Sequence, residues 1–560
     1  MSALLAAFEH MRFNVAVTIV MLAQIAGCIS EDVDDRSLAA RYQQALADRG
    51  PQERLGTKGS HLLRPAPTAG LPELEVVKDP NTGRSLVNLS MGDAIARALA
   101  NSPEITVVSF DPSIAKQDII KEVAEFDIVA FGRVSYEQRD EPVNSLLQIG
   151  QAESRVAESG IKQRGVTGSE WSASYALTRR WDDLVGRTVS TRYEPVVAFQ
   201  LKQPLLRDAW PEVNLAGVNV AKLNHQVALL GFRQKAEEVS TAVISAYWLL
   251  LQARRDLEIQ QSLRDQAVET LKKLQDRQEI DATDVQVKQA EASLKTREAA
   301  LLQAGKTVTD AQDSLVRLMA DPQMHTLRDL EIVPVTEPPM SRGQLHPSEI
   351  IDRAMESNPA IQQAQAGIAI ADINVRVAEN QRMPRVDLVA SATAQAFARF
   401  PGDAHDTLDD GDYVSYAIGL TIEEPIGNRQ REAELLRRKF ERKKAVSILH
   451  NLADQVAVQA KERIREVETR HAQIQVQKEA VEAARIHLQA LEDSEAIRER
   501  LTPEFLLVKL QAQDSLAFSQ RAQVKAIVDF NIALVELART TGTVLELHRV
   551  EAALPPVSSE

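Results

Sequence analysis

The chain repeats one of its own segments, and this repeat constrains the fold more than any single motif. Residues 89–105 read LSMGDAIARALANSPEI, and residues 345–361 read LHPSEIIDRAMESNPAI. The two segments align without a gap and share Leu89/Leu345, Ile95/Ile351, Arg97/Arg353, Ala98/Ala354, Pro103/Pro359 and Ile105/Ile361. Internal repetition of this kind indicates two halves of similar architecture, each opening with a short helix and a Ser-Pro or Asn-Pro break.

The composition favours long helices over several compact domains. Of the 560 residues, 26% are charged and only 4% are aromatic, so the chain is poor in the bulky side chains that fill compact cores. The net charge of −14 argues against nucleic acid as a partner, because phosphate binding requires clustered Lys and Arg in excess.

The N-terminal segment carries the pattern of an exported lipoprotein. A basic residue precedes a mostly apolar run over residues 13–25, and the sequence IAGC then ends at Cys28, the only cysteine of the chain. Small residues directly before a cysteine resemble the bacterial lipobox, where the signal is cut and the thiol is acylated. We therefore predict lipidation of Cys28. An ordinary cleaved signal, or an uncleaved anchor with an incidental cysteine, is the alternative.

The residues around this cysteine set the predicted boundaries. Residues 1–27 form the lipoprotein signal peptide, with translation starting at Met1 or Met11. Ile29 stands where an aspartate would retain many Gram-negative lipoproteins in the inner membrane, so passage to the outer membrane is permitted. Residues 28–85 are polar and rich in Pro, Asn and Gly turns, which predicts a flexible acylated leader.

Beyond the leader, Ser90 is the expected N-cap of the first repeat helix. Asp93 three residues later completes a capping-box-like pattern. Each half then shows the same order: a short helix, a helix of roughly 25 residues, strand segments and two much longer helices.

The strand pattern is cleanest in the second half. A helical pattern over residues 360–381 stops at a Met-Pro-Arg sequence, and the apolar period then changes to two. A loop that contains the sequences PGDA and DDGD follows. A strand is then predicted at 413–422, with large apolar side chains at alternate positions: Val414, Tyr416, Ile418, Leu420 and Ile422. The other face is small and polar, so one face is suited to lipid and the other to water.

The first half repeats the change of period over residues 126–136, 171–177 and 197–202, and a further candidate strand lies within 150–165. Two strands would match the second half, whereas four would make this half longer in its sheet. A soluble sandwich is the alternative, but its strands should be numerous and evenly spaced. A few strands per chain cannot close a barrel, so a membrane-spanning barrel would need several chains.

The longest helical patterns lie over residues 212–278 and 427–498, and each would extend about 100 Å at about 1.5 Å per residue. Each is followed by a short break and a returning helix, at 284–319 and 504–540. Each half thus ends in a long helical hairpin. A coiled-coil dimer is compatible with these helices alone, but it explains neither the strands nor the export signal.

In this order the motifs resemble the TolC/OprM-like outer membrane efflux protein (outer membrane factor) family over roughly residues 86–543. The motifs that carry the resemblance are the SPEI and NPAI openings, RMPRVDLVASATA, LKQPLLRDAW, LTIEEPIGNRQREAELL and TDVQVKQAEASLKTREAAL. The resemblance implies a mainly α fold with a small β portion, in which duplicated helix–strand–hairpin units form a trimeric α-helical barrel capped by a shared transmembrane β-barrel.

The same resemblance implies the domain bounds and the partners. Residues 86–335 would be the first efflux repeat, 336–543 the second and 544–560 a C-terminal tail. The expected partners are two further copies in a homotrimer, outer-membrane lipid, a periplasmic adaptor (membrane fusion) protein and an inner-membrane pump of RND or ABC type. In this family the hairpin tips close the tunnel and meet the adaptor, and here the tips would lie at residues 277–284 and 498–504.

Known members of the family often carry aspartates at the start of each returning helix, where three-fold symmetry makes carboxylate rings that select cations. Asp284 matches this pattern in the first half, whereas Val508 and Gln511 replace the aspartates of the second. The candidate tip and gate residues are therefore Arg277, Asp281, Asp284, Arg498, Val508, Lys509 and Gln511. A constriction lined by Gln511 or sealed by apolar groups is one interpretation; solvated tip charges at Asp281, Asp284 and Lys509 are the other.

No enzyme, metal or cofactor site is expected. The ten histidines lack a metal-ligand spacing, and no phosphate-binding glycine loop or nucleophile elbow is present in the sequence. The sequence thus predicts a passive exit duct of a tripartite efflux or type I secretion system, lipid-anchored in the cell outer membrane with a periplasmic helical tunnel. The alternative is a periplasmic coiled-coil structural lipoprotein or an adaptor subunit.

Overall fold

Helices and strands follow each other in the same order twice along the chain. The computed structural model describes residues 76–78, 85–143, 145, 148–184, 189–277, 283–326, 330–341, 343, 345–497 and 502–547. In chain order its elements are β1 Val76–Lys78, β2 Ser85–Leu89, α1 Met91–Asn101, α2 Pro103–Ala124, β3 Val129–Asp140, β4 Gln151–Arg164, β5 Glu170–Asp182, β6 Thr191–Pro204, α3 Pro211–Asn214, α4 Ala216–Asp276, α5 Asp284–Met319, α6 Pro322–Thr326, β7 Leu330–Pro334, α7 Pro347–Ser357, α8 Pro359–Gln381, β8 Arg385–Gln395, α9 Pro401–Asp409, β9 Val414–Glu423, α10 Arg429–Ile497, α11 Pro503–Thr541 and α12 Val544–Leu547.

The sequence repeat is a structural repeat. Helices α1 and α7 are each 11 residues long and occupy equivalent positions of the repeat. In both cases a single residue separates the end of the helix from a proline. Pro103 and Pro359 then open α2 and α8, because proline fits the first helical turn and disfavours helix in the residue before it. As predicted, Ser90 caps α1 by accepting a hydrogen bond from the Asp93 backbone N–H at 3.1 Å.

The four long helices lie where the sequence placed them. Helices α4 and α10 contain 61 and 69 residues, and the returning helices α5 and α11 contain 36 and 39. Both returning helices have a threonine N-cap, Thr283 and Thr502, whose hydroxyl oxygen accepts from a backbone N–H three residues on. The predicted hairpins are confirmed, although parts of both turns lie outside the described residues.

The described residues divide into two compact units. One contains residues 117–222 and 370–442 and carries the larger sheet; the other contains the remaining described residues and is mainly helical.

A small sheet in the helical unit includes residues of the predicted leader. Strand β2 pairs in parallel with β7 and antiparallel with β1. The hydroxyl of Tyr247 donates to Leu89 O and accepts from Thr336 N, each at 2.9 Å, and so ties this sheet to α4. Val76–Lys78 therefore belongs to a sheet, although residues 28–85 were predicted to be a flexible leader. Cys28 and the signal lie outside the described residues.

The main core of the helical unit surrounds the middle of α4. Tyr247 and Trp248 are fully buried there and meet edge to face at 5.4 Å between ring centroids. Val544 and Leu545 of α12 pack into the same core. Residues 544–560 were predicted to form a C-terminal tail, but the first of them complete this core.

Glu237 on α4 gives the helical unit a pH-sensitive position. Its side chain is buried and accepts a hydrogen bond from Arg233 Nε at 3.1 Å. Burial raises the pKa of Glu237 above its ordinary 4.5, and the nearby Arg233 charge offsets only part of this effect.

We expect Glu237→Gln to flatten the pH dependence of local stability around α4. Because the folded state holds the Glu237 proton more tightly, this group's contribution to stability is fully present below pH 4.5 and is lost as the pH rises through the raised pKa. The free energy of local opening, from hydrogen exchange of α4 amides, should therefore fall with rising pH in the wild type and less so in the variant. Glu238→Gln on the exposed side is the matched control, and an equal slope in all three proteins would contradict the prediction.

The larger sheet has six antiparallel strands in the order β3-β4-β5-β6-β8-β9. The first repeat thus contributes four strands and the second two, which decides the strand count that the sequence left open. The segment between β8 and β9 was predicted to be a loop, but it contains helix α9. His405 of α9 hydrogen-bonds the Tyr175 hydroxyl of β5, and Ala404 is fully buried.

Both strand-to-helix turns of this unit use left-handed backbone. Before α4, Asp208 and Trp210 have φ of 63° and 78°, and before α10, Gly427 and Asn428 have φ of 87° and 34°. Asn380 supports the first turn, because it accepts from Asp208 N at 2.8 Å and donates to Leu206 O at 3.1 Å.

Candidate functional sites

The six-stranded sheet has one apolar face. Directly paired residues of an antiparallel sheet lie on the same side, so the strand register defines rows that cross the sheet. One complete row, from β3 to β9, consists of Ala130, Ile161, Ala173, Phe199, Ala392 and Tyr416. This side, which also carries Ile418, Leu420 and Ile422, is called the apolar face below, and its large side chains are exposed on β9.

The opposite side carries mostly small and polar residues, with Val129 and Phe131 of β3 among them. The row next to the one above, on the other face, consists of Val129, Lys162, Ser172, Gln200, Ser391 and Ala417. On this polar face Lys202 Nζ lies 3.7 Å from Asp387 Oδ2 and 3.8 Å from Glu170 Oε2. In these two rows the alternation predicted for β9 therefore extends across all six strands.

Aromatic and charged side chains close one end of the apolar face. Arg155 lies over the Tyr136 ring at 5.5 Å and pairs with Glu153 at 2.6 Å, and Glu153 also lies 3.5 Å from Arg179. An apolar band that ends in aromatic rings and charges is the pattern of a sheet that crosses from hydrocarbon to a lipid headgroup region.

The helical unit brings the ends of its two hairpins together. Leu274 of α4 and Val287 and Ala290 of α5 form one small core with Leu506 and Leu510 of α11. The first and second predicted tips are thus neighbours within one chain, held by apolar packing on the turns next to the hairpin breaks.

Arg297 joins the two hairpins farther along α5. Its Nη1 donates to Gln513 Oε1 at 3.0 Å and its Nη2 donates to Asp514 Oδ1 at 2.9 Å. It also donates to the Leu263 and Leu510 carbonyl oxygens, at 3.2 and 3.3 Å. Burial lowers the pKa of Arg297, and Asp514 offsets part of that change. One buried guanidinium therefore links α4, α5 and α11.

Arg297 was not predicted from the sequence, although the sequence carries a signal for it. The buried residues Val287, Ala290, Leu294 and Arg297 follow three- and four-residue spacing along α5. A charged residue at an apolar position of such a stripe indicates a buried polar contact, since an unpaired charge there is costly.

Lys509 is buried, so its interpretation as a solvated tip charge is wrong. The residue is 5% exposed and its ammonium pairs with Glu495 of α10, in a site next to Phe505 and Leu506. The position follows from the helix period, because Lys509 shares the inner face of α11 with Leu506, Leu510 and Gln513.

We expect Lys509→Met to loosen the end of the second hairpin. The substitution keeps much of the side-chain volume but leaves the partly buried Glu495 without its cation, at a cost of about 1–3 kcal/mol. Hydrogen exchange of the amides at 505–510 should accelerate accordingly. Lys525→Met is the matched control, because Lys525 is exposed on the same helix and pairs with Asp529 of that helix. Equal exchange rates in both variants would show that the Lys509–Glu495 pair does not stabilise the end of the second hairpin.

The other tip candidates are divided between exposed positions and residues outside the described chain. Val508 and Gln511 are exposed and lie three residues apart on the outer face of α11. Asp284 is exposed as the first residue of α5, where a negative charge is stabilised by the helix dipole. Arg277 is half-buried, one residue after α4. Asp281, Arg498 and Cys28 lie outside the described residues, so their roles stay predictions.

The described ranges contain neither a metal-binding cluster nor a membrane-spanning helix. No group of three or more His, Cys, Asp or Glu side chains there is arranged to hold a metal ion. Among those same residues, no helix combines the length and the apolar character needed to cross a membrane.

Comparison with known proteins agrees with the architecture. No protein-family model matches the chain. It is 25% identical over 379 residues to the outer membrane efflux protein BepC of Brucella suis biovar 1 (strain 1330), an alignment that covers 66% of this chain and 76% of that protein.

Solved channel structures share the fold. The outer membrane protein VceC of Vibrio cholerae superposes with a TM-score of 0.55 at 18% identity, over 81% of this chain and 96% of that one. The open state of the Neisseria gonorrhoeae MtrE outer membrane channel gives 0.57 at 14% identity, over 81% and 89%. The resemblance inferred from the sequence is therefore confirmed, and the chain has the TolC-like fold of the outer membrane factor channels.

Proposed function

We propose that the protein is the outer membrane channel of a tripartite efflux or type I secretion system, a passive exit duct for solutes delivered from the inner membrane. The observation that carries the proposal is the six-stranded sheet with one apolar and one polar face, in a chain built from two long helical hairpins. The similarity to BepC, which is named an efflux protein, supports it. Such a sheet places lipid on one side and water on the other.

The duct would be formed by a homotrimer in the outer membrane. Six strands are too few to close a barrel alone, because the smallest membrane barrels have about eight strands. Free strand edges facing lipid are costly, so copies must pair edge to edge. The helical hairpins of the three copies would then line a periplasmic tunnel.

The duct itself would be passive, so another protein would drive export. An inner-membrane pump of RND or ABC type would drive export, and a periplasmic adaptor would connect that pump to the hairpin tips near Arg277 and Arg498. Asp284, Val508 and Gln511 are exposed next to those tips and are the proposed gate positions. Asp281, which lies outside the described residues, is a further candidate.

Native mass spectrometry of protein extracted from isolated outer membranes tests the proposal. A trimer of the processed chain supports the duct, and channel conductance in planar bilayers then measures its pore. A monomer, a dimer or a species found only in the soluble periplasm would contradict it and favour a coiled-coil scaffold. A periplasmic scaffold or an adaptor has no need for a wide sheet with an apolar face.

Docking of the adaptor is tested separately. Charge reversal by Arg277→Glu together with Arg498→Glu should weaken crosslinking of the tips to the adaptor and reduce export, while the trimer persists. Arg485→Glu on the exposed face of α10 serves as a charge-matched control. Unchanged crosslinking in the double variant would count against tip docking at these residues.

Cys28→Ala should abolish labelling of the protein by radioactive palmitate. The thiol is the acceptor of the predicted acyl chain, and a lipid chain gains about 0.8 kcal/mol of membrane affinity for each buried methylene. Export should persist if the sheet anchors the trimer, because a membrane-spanning sheet does not depend on a lipid tail. Ser30→Ala two residues on is the control, and retained labelling in Cys28→Ala would disprove the lipobox interpretation.

A further inference from the structure

The two repeats differ in one feature of the sheet. Strand β3 follows helix α2 as β8 follows α8, and β6 precedes the long helix α4 as β9 precedes α10. The duplication therefore equates β3 with β8 and β6 with β9. Hairpin β4–β5 has no counterpart between β8 and β9, where the chain forms helix α9 instead. We call β4–β5 the inserted hairpin.

The inserted hairpin is part of the sheet rather than an appendage. Strand β4 pairs with β3 from Val129↔Lys162 to Asp140↔Gln151, and β5 pairs with β6 from Glu170↔Lys202 to Trp181↔Thr191. Its strands have 14 and 13 residues, more than the roughly 9–11 that a tilted strand needs to cross a bilayer.

The inserted hairpin also continues both faces of the sheet. Its Ile161 and Ala173 belong to the apolar row, and its Lys162 and Ser172 belong to the polar row beside it. Gly160 admits the Phe131 ring on the polar face, because a Cβ at Gly160 would lie only 2.7 Å from that ring. In these two rows the hairpin therefore continues both the apolar and the polar face of the sheet.

The duplication also indicates how copies meet. Within one chain, the last strand of the first repeat, β6, pairs with the first strand of the second, β8. The equivalent contact for the free edges joins β9 of one copy to β3 of the next. Both edge strands are largely exposed within one chain, as an unpaired edge requires.

We propose, on the basis of the trimeric duct above, that the inserted hairpin is built into the barrel wall, so that the trimer closes with six strands from each copy, eighteen in total. With strands about 4.8 Å apart and tilted by about 40°, such a barrel has a diameter of about 36 Å. Without the inserted hairpin, four strands from each copy would give a barrel of about 24 Å. The hairpin thus widens the outer mouth about 2.3-fold in cross-section and admits bulkier solutes.

Electron cryomicroscopy of the trimer in lipid nanodiscs tests the strand number directly. Eighteen strands, with β4 and β5 between β3 and β6 in each copy, support the proposal. A trimer with a twelve-stranded wall and the inserted hairpin outside it overturns the proposal but leaves the duct intact. Failure to find any trimer would instead contradict the proposed function, so the two failures are distinguishable.

Disulfide crosslinking tests the β9–β3 closure independently. Aligning Pro425 with Pro204 places Leu420 at the position of Phe199, and the spacing between the two repeats places Tyr136 at the position of Ala392. Because Phe199 and Ala392 pair within one chain, Leu420 of one copy should pair with Tyr136 of the next. The double variant Leu420→Cys/Tyr136→Cys should give covalent dimers and trimers on oxidation. Thr421→Cys/Tyr136→Cys places one thiol on the opposite face and is the matched control.

Same-face positions Ile418→Cys and Ile422→Cys extend the scan to the adjoining registers. A crosslink at any of the three same-face positions supports closure between these edges, whereas none in an intact trimer overturns it.

Replacing residues 141–190 by Asn-Gly, a sequence that favours two-residue hairpins, would join β3 to β6 and remove the inserted hairpin. The barrel mouth of that trimer should exclude polyethylene glycols that enter the wild type from the extracellular side, and an unchanged size limit would contradict the widening.

Discussion

Ile418→Arg should prevent stable insertion of the proposed trimer into the outer membrane, whereas Ala417→Arg should be tolerated. The two residues are neighbours on β9, but Ile418 lies on the apolar face, where it is 77% exposed, and Ala417 lies on the polar face. An arginine on the lipid side near the bilayer midplane costs about 2–4 kcal/mol, and a trimer carries three of them.

The measurement is the fraction of each variant recovered as trimer from purified outer membranes. We expect a loss of at least tenfold for Ile418→Arg, since about 1.4 kcal/mol corresponds to one factor of ten, and little change for Ala417→Arg. Equal recovery of both variants would mean that the apolar face of the sheet does not meet lipid. A low recovery of Ala417→Arg alone would assign the two faces the other way round.

Arg97→Met should destabilise the helical unit by about 3–5 kcal/mol, because it leaves a buried carboxylate without its partner. Arg97 Nη1 of α1 lies 2.5 Å from Asp321 Oδ2, and the two side chains are 3% and 0% exposed. The other Asp321 oxygen accepts from Gln323 N at 2.8 Å at the start of α6. Loss of the guanidinium therefore removes the positive charge beside a fully buried carboxylate.

The sequence repeat supplies the control for this variant. Arg353 occupies the position of Arg97 in the second repeat but is exposed, so Arg353→Met should change stability by no more than about 0.5 kcal/mol. Adding Asp321→Asn to Arg97→Met should recover part of the loss, since a neutral amide is less costly to bury than a charge. Both effects can be followed by hydrogen exchange of α1 amides; similar exchange in the Arg97 and Arg353 variants would refute the buried-pair argument.

The comparison of Arg97 with Arg353 illustrates what an internal repeat can and cannot predict. The repeat correctly placed both residues on equivalent short helices, because the apolar spacing and the following proline are local signals. It did not distinguish the buried arginine from the exposed one. That difference depends on Asp321, more than two hundred positions away from Arg97 in sequence and beside it in the core.

At the hairpin ends, the sequence likewise did not predict which charged side chains are buried. The helix bounds agree with the sequence pattern, and a threonine caps each returning helix. Lys509 and Arg297 occupy inner positions of their helices, and only the neighbouring helices supply Glu495 and Asp514 as partners. A charge run in one helix does not reveal whether its members are solvated or paired across an interface.

The sequence by itself determined the duplication, the helical hairpins and the two-faced strands, because prolines, caps and the period of apolar residues act within a few positions of the chain. Tertiary structure alone decided the number of strands in the first repeat, the small sheet that joins β2 to β7, helix α9 and the burial of Lys509. Each of those features depends on pairing between segments distant in sequence. Local pattern leaves such pairings equally open, and the side chains that meet in the folded chain select one of them.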